Sequence, residues 1–207
     1  MKHIRASSRW LLVVLALLLS GCQGFPPAPV NPPPSPTCDE LALKEEGPEN
    51  LPFETVFVRN SGSAWPNGPG LLIATGPQDL AEITPYVGEK AVTDLKMVDF
   101  GTSFVAATFS GWKGSASFAF CVTSIQQENQ TVTLHAHLID QTGAVPAVTA
   151  SYYHLLSIPK NRIPQGEVSF RLALTLNTYE YTGPAVDQVV FKESQEEIVT
   201  SVIRTIR

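Results

Sequence analysis

The sequence predicts a mainly β fold: an antiparallel β-sandwich or barrel-like sheet with one short helix and a C-terminal segment poised between helix and strand. Three observations carry this. Nine short β-rich runs follow one another at roughly ten-residue spacing. Gly, Pro, Asn and Ser fill the gaps between them, as at Glu128-Asn129. One run alternates strictly, with Val132, Leu134, Ala136 and Leu138 on one face and Thr131, Thr133, His135 and His137 on the other, the mark of a half-buried strand.

In chain order the expected strands are Phe53 to Arg59, Leu71 to Thr75, Leu95 to Asp99, Ser103 to Phe109, Ser117 to Ile125, Thr131 to Asp140, Ala150 to Ile158, Val168 to Asn177 and Gln188 to Lys192. Gly76-Pro77-Gln78-Asp79-Leu80-Ala81-Glu82-Ile83 breaks the β pattern, with Pro in the first turn and acids early, and reads as a short helix ending near Pro85. From Glu193 to Ile206, the four-residue spacing of Ile198, Val202 and Ile206 suits a helix, whereas their β-branching suits a strand. Residues 180–207 read as a tail on the main β domain.

Ahead of this domain lie a leader and a stalk. Residues 1–21 combine a basic start (Lys2, Arg5, Arg9), ten apolar residues from Trp10 to Leu19 and a small-residue exit, the zones of a secretory signal. Ten apolar residues fall short of the ~20 a spanning helix needs. Leu19-Ser20-Gly21-Cys22 resembles the lipobox of bacterial lipoproteins, which implies acylation of Cys22 and an extracytoplasmic chain held on the bilayer. At about 0.8 kcal/mol per buried methylene, two or more acyl chains make a lasting anchor. Residues 22–37 follow as a stalk with seven prolines between Gln23 and Thr37. Such a run is semi-rigid and extended, at ~3.1 Å per residue. The β domain then occupies 38–207, and an anchor of this kind places it on the cell membrane, or on the outer membrane of a two-membrane cell.

With Cys22 acylated, Cys38 and Cys121 remain as an even pair, available for one disulfide in an exported chain. Closing that loop of about 84 residues stabilises the fold by up to about 4.6 kcal/mol in the chain-entropy picture. A buried Cys121 thiol with a free Cys38 is the alternative. The formal charge is −5, and losing the three basic leader residues leaves 11 basic against 19 acidic, a net of −8. A surface that acidic disfavours electrostatic capture of nucleic acid or of anionic lipid headgroups.

The residue pattern yields no catalytic motif. Neither Gly-x-Ser-x-Gly nor His-Glu-x-x-His occurs, and no Cys-x-x-Cys offers a redox or zinc site. Gly111-Trp112-Lys113-Gly114-Ser115 lacks phosphate-loop spacing and leads into a strand. His135 and His137 share a strand face without a third ligand and read as surface histidines, so no metal or cofactor is expected. His154, on the face of Leu156 and Ile158, reads as a hydrogen-bonded, partly buried histidine. Asp94, Asp99, Glu128 and Asp140 are scattered. What stands out is the hairpin from Ser110 to Ser117, where Trp112 and Lys113 form a partner-contact tip, with Trp112 folded back over the sheet edge as the competing arrangement.

The stretch from Leu95 to Lys160 resembles the PrcB-like C-terminal domain family, lipoprotein-associated β modules found with a secreted subtilisin-type protease. The likeness rests on Val98-Asp99-Phe100, Ser103-Phe104-Val105-Ala106-Ala107, Gly111-Trp112-Lys113, Ser124-Ile125 and Ser151 through Lys160 (Ser-Tyr-Tyr-His-Leu-Leu-Ser-Ile-Pro-Lys). It covers about a third of the chain. The family's Gly-x-Lys-Pro-Thr-Gly-Gly-Tyr is here Gly111-Trp112-Lys113-Gly114-Ser115-Ala116-Ser117-Phe118, keeping Lys113 and altering most else. The resemblance implies a non-catalytic β module on a lipoprotein, associated with a subtilisin-type protease, whose contact loop includes Trp112, Lys113, Ser115 and Phe118. A solute- or peptide-binding lipoprotein, or a protease-inhibitor-like module, is the alternative reading. Cys22→Ala is expected to move the chain from the membrane to the soluble exported fraction; fractionation with mass measurement of the N-terminal peptide checks this.

Overall fold

The structure, a computed structural model, describes residues 50–59, 65, 68–113, 118–141, 150–181 and 189–207. The leader, the stalk, Cys22, Cys38 and Ser115 lie outside the described residues.

Among the described residues, nine strands form two sheets: β1 (Glu54–Arg59), β2 (Gly70–Ala74), β3 (Ser103–Lys113), β4 (Phe118–Glu128), β5 (Thr131–Gln141), β6 (Ala150–Pro159), β7 (Gly166–Tyr181), β8 (Val189–Glu193) and β9 (Glu197–Ile206). The first sheet runs β1-β6-β3-β2 with every pair antiparallel. The second runs β4-β5-β7-β8, with β9 pairing β7 beyond β8. Within it β5 and β7 are parallel, a departure from the all-antiparallel expectation. The cause is the path of the chain: between them, β6 crosses to the first sheet and runs back down it. Two reversals return β7 to the direction of β5.

The expected short helix is present as a 3₁₀ turn (Pro77–Asp79), α1 (Leu80–Ile83) and a second 3₁₀ turn (Thr84–Tyr86). Asp79 fastens its start, its Oδ2 accepting from Thr75 N at 2.8 Å, Thr75 Oγ1 at 3.0 Å and Gly76 N at 3.0 Å. Two further differences concern local structure. The expected strand at Leu95 to Asp99 is instead the end of helix α2 (Glu89–Leu95) and a turn. Ala91 and Leu95, four apart, are fully buried, and the exposed Lys90 pairs with Asp94 at 2.9 Å on the other side, so a helical period wins over the local alternation. The C-terminal segment is a strand, not a helix. Residues 197–206 pair with Gly166 to Leu174 of β7, where β-branched Ile198, Val199, Val202, Ile203 and Ile206 complete the second sheet instead of trailing from it.

Two hydrophobic layers follow from strand alternation. Phe104 and Ala106 of β3, Leu71 and Ile73 of β2, and Leu156 and Ile158 of β6 face the second sheet, meeting Val132, Leu134, Ala136, Leu138, Phe170 and Leu172. Val105, Ala107 and Phe109, with Ala74, Tyr153 and Leu155, face the opposite way onto Leu80, Ile83, Ala91 and Leu95 of the helices. The first sheet is thus buried on both faces, which is why Ser103 to Phe109 reads as a nearly continuous apolar run. Phe109 centres an aromatic cluster: it stacks on Trp65 at 4.6 Å and lies 6.0 Å from Tyr86 and 6.4 Å from Tyr153. Gly70 is required beneath it, because a Cβ there would come within 2.4 Å of the Trp65 ring. On the β2 side of the sandwich, Arg204 of β9 donates from Nε to Ile73 O at 3.3 Å and from Nη2 to Glu82 at 2.9 Å, tying the two sheets together.

Phe109→Ala is expected to cost about 4 kcal/mol, since it removes a fully buried ring that three others pack against. Guanidinium unfolding with an unchanged m-value measures it.

Candidate partner-contact site

The far end of β3 is shaped by a bulge. Register with β6 shifts between Phe109 and Trp112, and Gly111 sits there at φ 73°, in the left-handed region that glycine enters freely. Ser110 closes the gap in the ladder: its buried hydroxyl donates to Gly111 O at 2.9 Å and accepts from Tyr152 N at 3.0 Å. From Phe104 through Gly111 the strand is buried, whereas Trp112, the next residue, is 50% exposed. The indole is therefore half exposed where the buried run of β3 ends.

Register places the other expected contact residues nearby. Lys113 pairs with Ala150, Trp112 with Ser151, and Phe118, described only through its backbone as the start of β4, with Asp140. Lys113 and Asp140 sense one another. Burial disfavours the Lys113 ammonium and pulls its pKa below the ordinary lysine value, while Asp140 partly restores it. Burial likewise pushes the Asp140 carboxyl up, and Lys113 holds it back. Two opposite charges are thus partly desolvated and partly compensate one another.

The histidines have other roles. His154 is 4% exposed and links three strands. Its Nδ1 accepts from Val122 N at 3.0 Å, and its Nε2 lies 2.9 Å from Thr55 Oγ1. With Nδ1 accepting, Nε2 carries the proton and donates to Thr55. Val122 is available because β4 bulges between Val122 and Ser124. His154 is thus a hydrogen-bonded core histidine, as its strand face indicates, and more deeply buried than expected.

His135 and His137 depart from the surface reading. His137 is 5% exposed, its Nδ1 2.7 Å from Nδ2 of a fully buried Asn177, and His135 Nδ1 contacts Glu196 Oε1 at 2.7 Å. Alternation identifies the face that points away from the core. It does not reveal that Cys121, His137, Ile139, Thr175 and Asn177 are buried on that outer face. Among the described residues, no three metal-ligating side chains converge. Cys121 is disulfide-bonded, and its partner cysteine lies outside the described residues.

Most residues that carry the family resemblance are architectural. Asp99 and Lys160, from its two ends, meet at the base of the sandwich. Lys160 Nζ donates to Phe100 O at 2.7 Å and Thr75 O at 3.1 Å. Asp99 accepts from Gly101 N and from Thr102 Oγ1, both at 2.9 Å, and these bonds hold its carboxyl below the ordinary range. The mutual influence of Lys113 and Asp140 escapes sequence reading because the two are 27 positions apart and lie on strands of different sheets. Comparison of the chain with protein-family models, with curated proteins and with solved structures finds no match.

Burial lowers the His154 pKa from 6.5 to about 4. Between those values the unfolded imidazole holds a proton that the folded one does not, so stability is full above pH 6.5 and falls as pH drops toward 4. The loss is expected to reach about 3 kcal/mol. Chemical unfolding at pH 7 and pH 4.5 measures it, and His154→Gln should flatten that pH dependence.

Proposed function

We propose that the chain is an exported, membrane-anchored lipoprotein whose β domain binds another protein without catalysis, as an accessory subunit or stabiliser of a secreted or surface protease. The observation that carries the binding role is Trp112, which a glycine bulge turns out of an otherwise buried strand. An aromatic ring held on a rigid strand end loses little entropy on docking, and the half-buried Lys113 beside it supplies a directional charge.

Two further points support the reading. The Cys121 disulfide suits an oxidising, extracytoplasmic compartment, in keeping with the leader and the Cys22 lipobox. His154 has both ring nitrogens in hydrogen bonds that join strands, which supports a structural role for it over that of a general base. The protease as partner rests on the PrcB-like resemblance.

Detergent extraction of the native chain, followed by mass spectrometry of what co-purifies, tests the proposal. A stoichiometric protease is expected, and Trp112→Ala should weaken its retention at least tenfold while circular dichroism stays unchanged. Isolation of the chain alone at every detergent tried, or full retention by the Trp112 variant, sinks it.

A further inference from the structure

The opposite end of β3 carries a second, unassigned feature. Ser103 lies about 30 Å from Trp112 along the strand, at ~3.3 Å per residue, and borders one of two adjoining hollows, of about 500 and 390 Å³, that share Lys160 and Arg207. Arg204 lines the smaller, giving three cationic side chains against one acidic side chain, Asp79, in a chain of net charge −5.

The donors here are only partly used. Two of the three ammonium N–H groups of Lys160 reach Phe100 O and Thr75 O, leaving one. Three of the five guanidinium N–H groups of Arg204 reach Ile73 O, Ile203 O and Glu82, leaving two. Arg207 is exposed at the rim. The carboxylates nearby are already engaged: Asp79 by Thr75 and Gly76, Glu82 by Arg204, Asp99 by Gly101 and Thr102. Spare cationic donors around a polar hollow, with the local acids occupied, are the chemistry of oxyanion recognition.

We propose that the Lys160–Arg204–Arg207 hollow binds a phosphate group, either as a free anion or as the headgroup of an anionic lipid. It is independent of the Trp112 reading, since it uses other residues at the other end of the sandwich.

The test uses the full chain carrying Cys22→Ala, so that acyl chains contribute nothing. Inorganic phosphate and pyrophosphate are titrated in by calorimetry at low salt. Separately, the chain is sedimented with phosphatidylglycerol or phosphatidylcholine vesicles. Arg207→Glu is the variant, and Arg171→Glu, an exposed arginine on β7, is the control for general charge. Saturable phosphate binding that Arg207→Glu weakens about tenfold or more, and Arg171→Glu spares, supports a free-anion site. Without such binding, a preference for phosphatidylglycerol over phosphatidylcholine that Arg207→Glu removes and Arg171→Glu keeps supports a headgroup site. Neither kind of binding, or equal losses in both variants, overturns the proposal.

Discussion

The imidazole of His154 lies between the two sheets, and much of the architecture depends on its staying neutral there. It takes the amide proton of Val122 from β4 and gives its own to Thr55 of β1, so one side chain of β6 satisfies groups on two other strands. The bulge in β4 turns the Val122 amide out of its ladder and would otherwise leave a buried donor unpaired. Such a group costs on the order of 1–3 kcal/mol when orphaned. Across the sandwich, Arg204 does the corresponding work for the carbonyl of Ile73. Polar side chains thus bridge between the sheets where no continuous backbone ladder closes them.

The same packing bears on where the two proposed sites lie. β3 and β6 of the first sheet are covered on both faces, whereas its edge strand β1 exposes Glu54, Thr55 and Val58. The bulge at Gly111 ends the buried run of β3, with Trp112 exposed just beyond it, and cations gather where β9, the Lys160 turn and the end of β2 converge. Bulges serve two purposes in this chain: one exposes an indole, and the other frees an amide for a buried histidine.

How much of this is legible in the sequence depends on whether neighbours in space are neighbours along the chain. The alternation of Val132 to Leu138 specifies both the strand and its core face, because a half-buried strand writes its environment at period two. The face of His154 is readable for the same reason, from Leu156 and Ile158. Leu95 to Asp99 misleads because Leu95 closes a helix and Val98 belongs to the turn that follows it, and a five-residue window cannot distinguish that from a strand. The parallel β5–β7 pair is invisible, since it follows from β6 lying in the other sheet and not from any property of Thr131 to Gln141. At the site, Trp112 and Lys113 can be chosen from composition, whereas Asp140 needs the fold to bring it near. The burial of His137 against Asn177 likewise has no local signature, being a contact across forty residues.

The placement of β7 bears on how the chain reaches this state. One of its edges pairs with β5, across a crossing through the other sheet, and its other edge with β8 and β9, the last strands of the chain. A polypeptide exported from its N-terminus, as proposed above, presents β7 before residues 189–206 have emerged, with an apolar row of Val168, Phe170 and Leu172 beside an unpaired edge. Non-local pairings of this kind are slow to form, and open edges recruit other chains. The hazard during secretion is therefore concentrated in the interval between delivery of Tyr181 and delivery of Ile206, when the strand that completes the second sheet is still in transit.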